Sequence, residues 1–263
     1  GVAGSVKDYT ISQPGPSRRS LDLWRHAQRR GLKTAAKVQV NNTWECSAVP
    51  WLPVPDLVQE HLDRLARVGV RGIMLSWTLG GYPGGNLPLL HHKAGAWASR
   101  TFGSAGRGVR SACRAFSSAF REFPFHPGVA YFAPQNVGPK NLLYAEPTGY
   151  KATMVGLPYD DLDGWHWIYP EAVLERQFRK VSEGWAKGLK LLNRIEAPAE
   201  AGRRAAFEDL VRVATAAYCH FRSAYLQIAF VRRRGKRDAA SRSRLLAILD
   251  EEIQLAVTLH AIA

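Results

Sequence analysis

Residues 37–86, KVQVNNTWECSAVPWLPVPDLVQEHLDRLARVGVRGIMLSWTLGGYPGGN, decide how the rest of the chain is read. Lys37-Val38-Gln39-Val40 is a short β-branched run. It breaks into Asn41-Asn42-Thr43-Trp44-Glu45, a polar and aromatic cluster without periodicity. After Pro50, Pro53 and Pro55, the segment Asp56 to Val68 places Leu57, Val58, His61, Leu62 and Leu65 at helical spacing, and Gly69 follows where a C-cap belongs. Gly72 to Trp77 is a nearly continuous apolar strand, the pattern of a strand covered on both faces. It ends in Thr78-Leu79-Gly80-Gly81-Tyr82-Pro83-Gly84-Gly85-Asn86. The pattern is strand, helix, strand, with the unusual residues just beyond both strand ends, where parallel α/β folds bind ligands.

Outward from this unit, Pro14-Gly15-Pro16 marks a loop, Ser17 or Ser20 N-caps a first helix carrying Leu21, Leu23, Trp24 and Ala27, and Gly31 ends it. Val109 to Phe120 predicts an amphipathic helix with Cys113, Phe116 and Phe120 on one stripe. Residues 128–170 are aromatic and proline-rich, a long irregular segment of the kind that carries function in a compact domain. Three helical stripes follow: Val173 to Leu189, Phe207 to Ile228, and Leu245, Leu249, Ile253, Ala256 and His260. They read as packing surfaces of a helical region. The expected division is 1–90, a partial α/β barrel with site loops; 91–170, loops and short helices; and 171–263, a helical C-terminal region. Two strands alone close no barrel, so the expectation is a fragment: the last strands and helices of a (β/α)₈ barrel, then helices.

Composition narrows the classes. The 263 residues supply ample apolar content for a core. No run approaches the roughly 20 apolar residues of a membrane span, and no signal-like segment precedes the first helix, which predicts a soluble chain of unstated location. Cys46, Cys113 and Cys219 lack metal or disulfide spacing. The net charge of +14, from 36 basic and 22 acidic residues, invites a polyanion reading, with Arg232-Arg233-Arg234-Gly235-Lys236-Arg237 as its densest run. That run falls between two helical patterns, where a solvated turn explains it, and nucleic acid is not the expected partner.

Glu45 is the carboxylate of the first strand-end cluster, placed to act as acid, base or nucleophile if its surroundings tune it. Sugar hydrolysis needs a second carboxyl group, and Asp160, Asp161 and Asp163 are the candidates, with Asp161 taken as catalytic. Asn41, Asn42, Trp44, Trp77, Tyr82 and Asn86 pair aromatic faces with amide groups, a combination suited to pyranose rings, and Asp160 and Asp163 join them as substrate contacts. The glycines match no phosphate-binding motif, and neither cofactor nor metal is expected.

Residues 41–50, residues 75–83, and the blocks 141–144 and 160–165 resemble an uncharacterised bacterial group that looks like carbohydrate-active (β/α)₈-barrel enzymes, hexosaminidase-like glycoside hydrolases included. The resemblance implies a glycoside hydrolase fragment acting on a saccharide. In it Trp77 resembles the sugar-platform tryptophan, and Glu45 a substrate-contacting or catalytic acid. The hexosaminidase Asp-Glu pair has no counterpart in these 263 residues. The competing expectations are a basic helical module that holds nucleic acid or another polyanion through Arg232 to Arg237, and a truncated product inactive on its own.

Overall fold

A computed structural model describes residues 10–75 and 82–262. The strand–helix–strand unit forms. Strand β1 (Ala35–Val38) pairs in parallel with β2 (Gly72–Leu75), Ala35 opposite Gly72 and Val38 opposite Leu75, and α2 (Pro55–Val68) crosses between them. Proline at the first position and Gly69 in the left-handed region at φ 78° bound α2, as Pro55 and Gly69 lead one to expect. Before β1 lies α1 (Arg18–Arg29), whose N-cap Ser17 accepts from the Ser20 amide.

The described residues form no barrel. Among them the sheet has two strands of four residues each, far short of closure, and helices make up most of the remainder. Nor is β2 covered on both faces: Ile73 is 42% and Met74 63% exposed. The expected α/β barrel fragment is therefore corrected to a mainly helical fold with a small open sheet. With the barrel goes the resemblance to barrel hydrolases, because its strand-end rim needs neighbouring strands to carry it.

The core is built helix on helix. Helices α3 (Ala94–Phe102), α4 (Gly106–Phe120) and α5 (Pro127–Phe132) lead through 3₁₀ turns at Pro134–Asn136 and Gly138–Lys140 to the short α6 (Leu162–His166). Then come α7 (Glu171–Leu192), the 31-residue α8 (Ala201–Val231) and α9 (Ala239–Ile262). Helix α7 lies between α4 and α8, and α8 also meets α3, α9 and both 3₁₀ turns. Their stripes interlock around Trp185, which rests against Phe116 at 4.7 Å and Phe221 at 5.1 Å and donates its indole N–H to the Ala214 carbonyl. Among the described residues no helix is long and apolar enough to cross a membrane.

Candidate functional site

The chain leaves β1 at Val38 and reaches Asn41, whose amide fastens a distant loop. Its Nδ2 donates to the Gly84 carbonyl at 3.2 Å, and its Oδ1 accepts from the Asn86 amide at 2.7 Å. Asn86 answers by donating to the carbonyls of Val40 at 2.9 Å and Leu52 at 2.7 Å. Both side chains are buried, and these bonds satisfy backbone groups that a loop would otherwise leave unpaired. Gly85 completes the staple. At φ 57° it presses so close that a Cβ would lie 2.7 Å from Asn41 Oδ1 and 3.0 Å from the Trp51 ring, so only glycine fits. Asn42 turns elsewhere, donating to Val49 O at 3.1 Å.

The stapled loop presents Tyr82 to α8. Tyr82 Oη donates to Asp209 Oδ2 at 2.5 Å, and Trp51 Nε1 donates to the same oxygen at 3.2 Å. Trp97 joins by donating to Gly85 O at 3.1 Å. Between these groups lies a recess of about 260 Å³, lined by Trp51, Tyr82, Trp97, Phe102, Pro88 and Asp209. Burial, reinforced by the neighbouring carboxylate, pushes the Tyr82 phenol up to about 12, so it stays a donor. Among the described residues no Lys or Arg forms an ion pair with Asp209, and none donates to its Oδ1. Asp209 belongs to no motif: it falls between Phe207 and Leu210 of an apolar stripe. An acidic residue interrupting such a stripe is the one signal that marks it.

The other expected site residues go to other places. Glu45, in the 3₁₀ turn Trp44–Cys46, is fully buried and accepts from Thr10 Oγ1 at 2.6 Å, Ile11 N at 2.7 Å, Ser12 N at 3.2 Å and Thr43 Oγ1 at 2.9 Å. Burial raises its pKa and these donors oppose the rise. Trp44 lines a second cleft, of about 430 Å³, with Tyr131, Phe132 and Met154, and meets the Tyr131 ring edge-on at 5.0 Å. Asp160 accepts from Thr148 N at 2.9 Å and Arg234 Nη1 at 2.7 Å. Burial would raise its pKa, but Thr148 and the Arg234 guanidinium hold it below the usual range. Asp161 caps α6 and accepts from Ala152 N at 2.8 Å and Lys151 Nζ at 3.0 Å. Asp163 is exposed, and Trp77 lies outside the described residues. The structure thus brings Asn41, Tyr82 and Asn86 together and sends Glu45, Trp44 and the three aspartates to separate tasks.

The remaining chemistry is quiet. The three thiols are buried, and desolvation pushes Cys46 up to about 12 and Cys219 to about 11, far from a nucleophile's range. Asp163, His166 and Glu171 bring one ligand atom each to within 4.8 Å of one another, the one metal-capable cluster among the described residues. Glu171, however, is already engaged by Arg232 Nε at 3.2 Å. Three members of the basic run are also spoken for: Arg232 and Arg233 pair with Glu175, and Arg234 with Asp160.

No protein-family model, no curated protein and no solved structure matches the chain. The glycoside hydrolase reading and its saccharide partner are set aside: the described residues form no strand-end rim to serve as a sugar-binding wall, and the acid expected at its centre is sealed in the interior.

Proposed function

We propose that the chain is a binding module for a small organic cation, held in the recess beside Asp209. One observation carries this reading: a carboxylate fixed by two aromatic donors, with its second oxygen unengaged by the described residues, faces a space walled by indole and phenol rings. Aromatic faces attract cations electrostatically, by about 0.5–1 kcal/mol when exposed and about 2 kcal/mol or more when desolvated. A carboxylate at the same site adds a charge-assisted contact and turns away anions. The ligand is small, because about 260 Å³ lies below the roughly 300–1,000 Å³ of ordinary ligand pockets. The polar groups of the lining, Asp209, Tyr82 and Thr101, supply charge and hydrogen bonds that would hold such a ligand.

The test is calorimetric titration with choline and with its uncharged carbon analogue 3,3-dimethylbutan-1-ol. Choline binds and the neutral analogue binds at least tenfold more weakly; Asp209→Asn removes that preference, and Tyr82→Phe weakens choline by freeing the carboxylate to rotate. Equal affinity for the two alcohols, or choline binding unchanged in Asp209→Asn, overturns the reading. So does an absence of choline binding altogether.

A further inference from the structure

Helix α9 is attached to the molecule along one seam. It meets α8 and the 3₁₀ turn Gly138–Lys140, and its buried residues are Ile248, Glu252 and Leu255. A carboxyl group therefore lies between the two buried apolar residues of the seam. Glu252 is 8% exposed. Its Oε2 accepts from Ser223 Oγ on α8 at 2.9 Å, and its Oε1 is buried without a hydrogen-bond partner among the described residues.

The direction of each proton in this seam follows from its neighbours. Gln227 Nε2 donates to Ser223 Oγ at 2.8 Å and to Gly138 O at 2.9 Å, while Gln227 Oε1 accepts from Asn141 Nδ2 at 2.7 Å. The Ser223 hydroxyl accepts from Gln227, so its own proton goes to Glu252. That leaves Oε1 with no donor. A full charge there would be buried with half its oxygens unmatched, whereas a neutral carboxyl leaves a single O–H unpaired, the far smaller cost.

We propose that Glu252 is a proton-operated latch: protonated, it fastens α9 to α8, and ionised it loosens that docking, so the grip of α9 weakens as pH rises. The charged and titratable groups around it are few. Arg222 on α8 forms a bidentate pair with Glu251 of α9, at 2.6 and 3.0 Å, which keeps that guanidinium occupied. Cys219 of α8 feels the Glu252 charge, Arg244 of α9 donates to the Tyr225 hydroxyl at 3.0 Å, and Lys140 of the 3₁₀ turn acts on His220. None of these supplies a donor to Oε1.

Burial pushes Glu252 up to about 8; Ser223 pulls it down, Glu251 adds to the rise and Arg222 opposes it. The sign is that of a carboxyl with a raised folded value. Undocked, the group loses its proton near its ordinary value of 4.5, and docked it keeps it to about 8. The docked helix holds the extra proton between those limits, so the stabilisation is complete below 4.5 and is lost progressively up to about 8. Loosening exposes the seam of a helix whose outer side already shows Leu246, Ile253 and Val257, each more than half exposed.

Amide hydrogen exchange on the full chain from pH 5 to pH 9 tests the latch. The expected result is a protection factor for the α9 amides that falls about tenfold per pH unit up to about 8 and then levels, as one proton per opening requires. Amides of α4 and α7 serve as the reference and stay unchanged. In Glu252→Gln, which keeps the shape without the charge, α9 protection is flat with pH. Flat protection in the unaltered chain, an equal decline in α4 and α7, or a decline in Glu252→Gln like that of the unaltered chain would each overturn the proposal; the first needs no variant, so a misfolded substitution does not block the test.

Discussion

Glu45 shows how a residue type can be read correctly and its task misread. A lone carboxylate in a strand-end cluster is as typical of a ligand site as of a structural knot, and the distinction lies in who donates to it. The donors come from Thr10, Ile11 and Ser12, about 35 residues earlier in the chain, a separation over which sequence pattern carries no information. Here the carboxylate ties residues 10–12 to the 3₁₀ turn. Glu45→Ala strands two buried backbone amides and two hydroxyls, and the expected loss is about 2–4 kcal/mol of stability from the desolvated donors alone. Glu45→Gln is nearly as costly, because its NH₂ faces groups that themselves donate. Chemical denaturation of both variants checks this; a Glu45→Ala midpoint equal to that of the parent would show that the knot holds nothing. The same contrast explains Asn41 and Asn86. Their types suggested directional hydrogen bonds to a ligand, and they make such bonds, but to backbone carbonyls and a backbone amide, which shapes the recess from behind.

At the scale of elements, periodicity succeeded where one face of a helix is clearly apolar. The stripe of Cys113, Phe116 and Phe120 is buried in α4, and Leu174, Phe178, Val181 and Trp185 are buried in α7. In α9 it was right only in part. Leu245 and Leu249 of the expected stripe pack partly buried against the core, but Ile253, Ala256 and His260 face solvent, while Ile248, Glu252 and Leu255 are the buried residues. Apolar residues line both sides of this helix, so spacing alone has no preference, and a buried glutamate is the last residue a hydrophobic pattern would choose. The α4–α7 crossing, by contrast, hinges on residues that patterns ignore. Gly184 and Gly188, one turn apart on α7, let α4 approach: a Cβ on Gly188 would lie 2.4 Å from the Phe116 ring, and one on Gly184 2.8 Å from the Ala119 Cβ. Replacing helical glycine by alanine ordinarily stabilises by about 1 kcal/mol. Overpacking a filled core costs about 1–3 kcal/mol. Packing decides the sign here, since Phe116 is wedged against Trp185 and has nowhere to go. Gly188→Ala should lower the melting temperature by several degrees, whereas Gly202→Ala, with open space around it, should leave it level or raise it.

For the molecule as a whole, the strand–helix–strand unit was legible and its surroundings were not. Two parallel strands joined by a helix are compatible with a barrel, a doubly wound sheet or a small sheet leaning on a helical body, and only long-range pairing separates them. What holds this body together is α8, which gathers α3, α7, α9 and two 3₁₀ turns around one axis. The +14 charge is likewise less free than its total suggests, because the arginines that look densest in sequence are bound to Glu171, Glu175 and Asp160. A junction of this kind leaves a signature in acid. His220 lies on α8 against Gly138, where a Cβ would come within 2.6 Å of its Nδ1, and Nδ1 lies 2.9 Å from the Gln135 carbonyl. Burial pulls its pKa down to about 4, with the Gln135 bond opposing and Lys140 assisting. The folded chain therefore keeps this imidazole neutral while the unfolded chain protonates it near 6.5, so its contribution is whole above 6.5 and is lost as pH falls towards 4. In His220→Gln the ring packing is gone at every pH but the proton linkage is gone too. The stability gap between parent and variant should thus shrink on acidification, by up to about 1.4 kcal/mol per pH unit across that window. Urea denaturation at half-unit steps from pH 4 to pH 7.5 measures it, and because both proteins share every other titrating group, a gap that stays constant would mean that His220 is not held neutral at the junction.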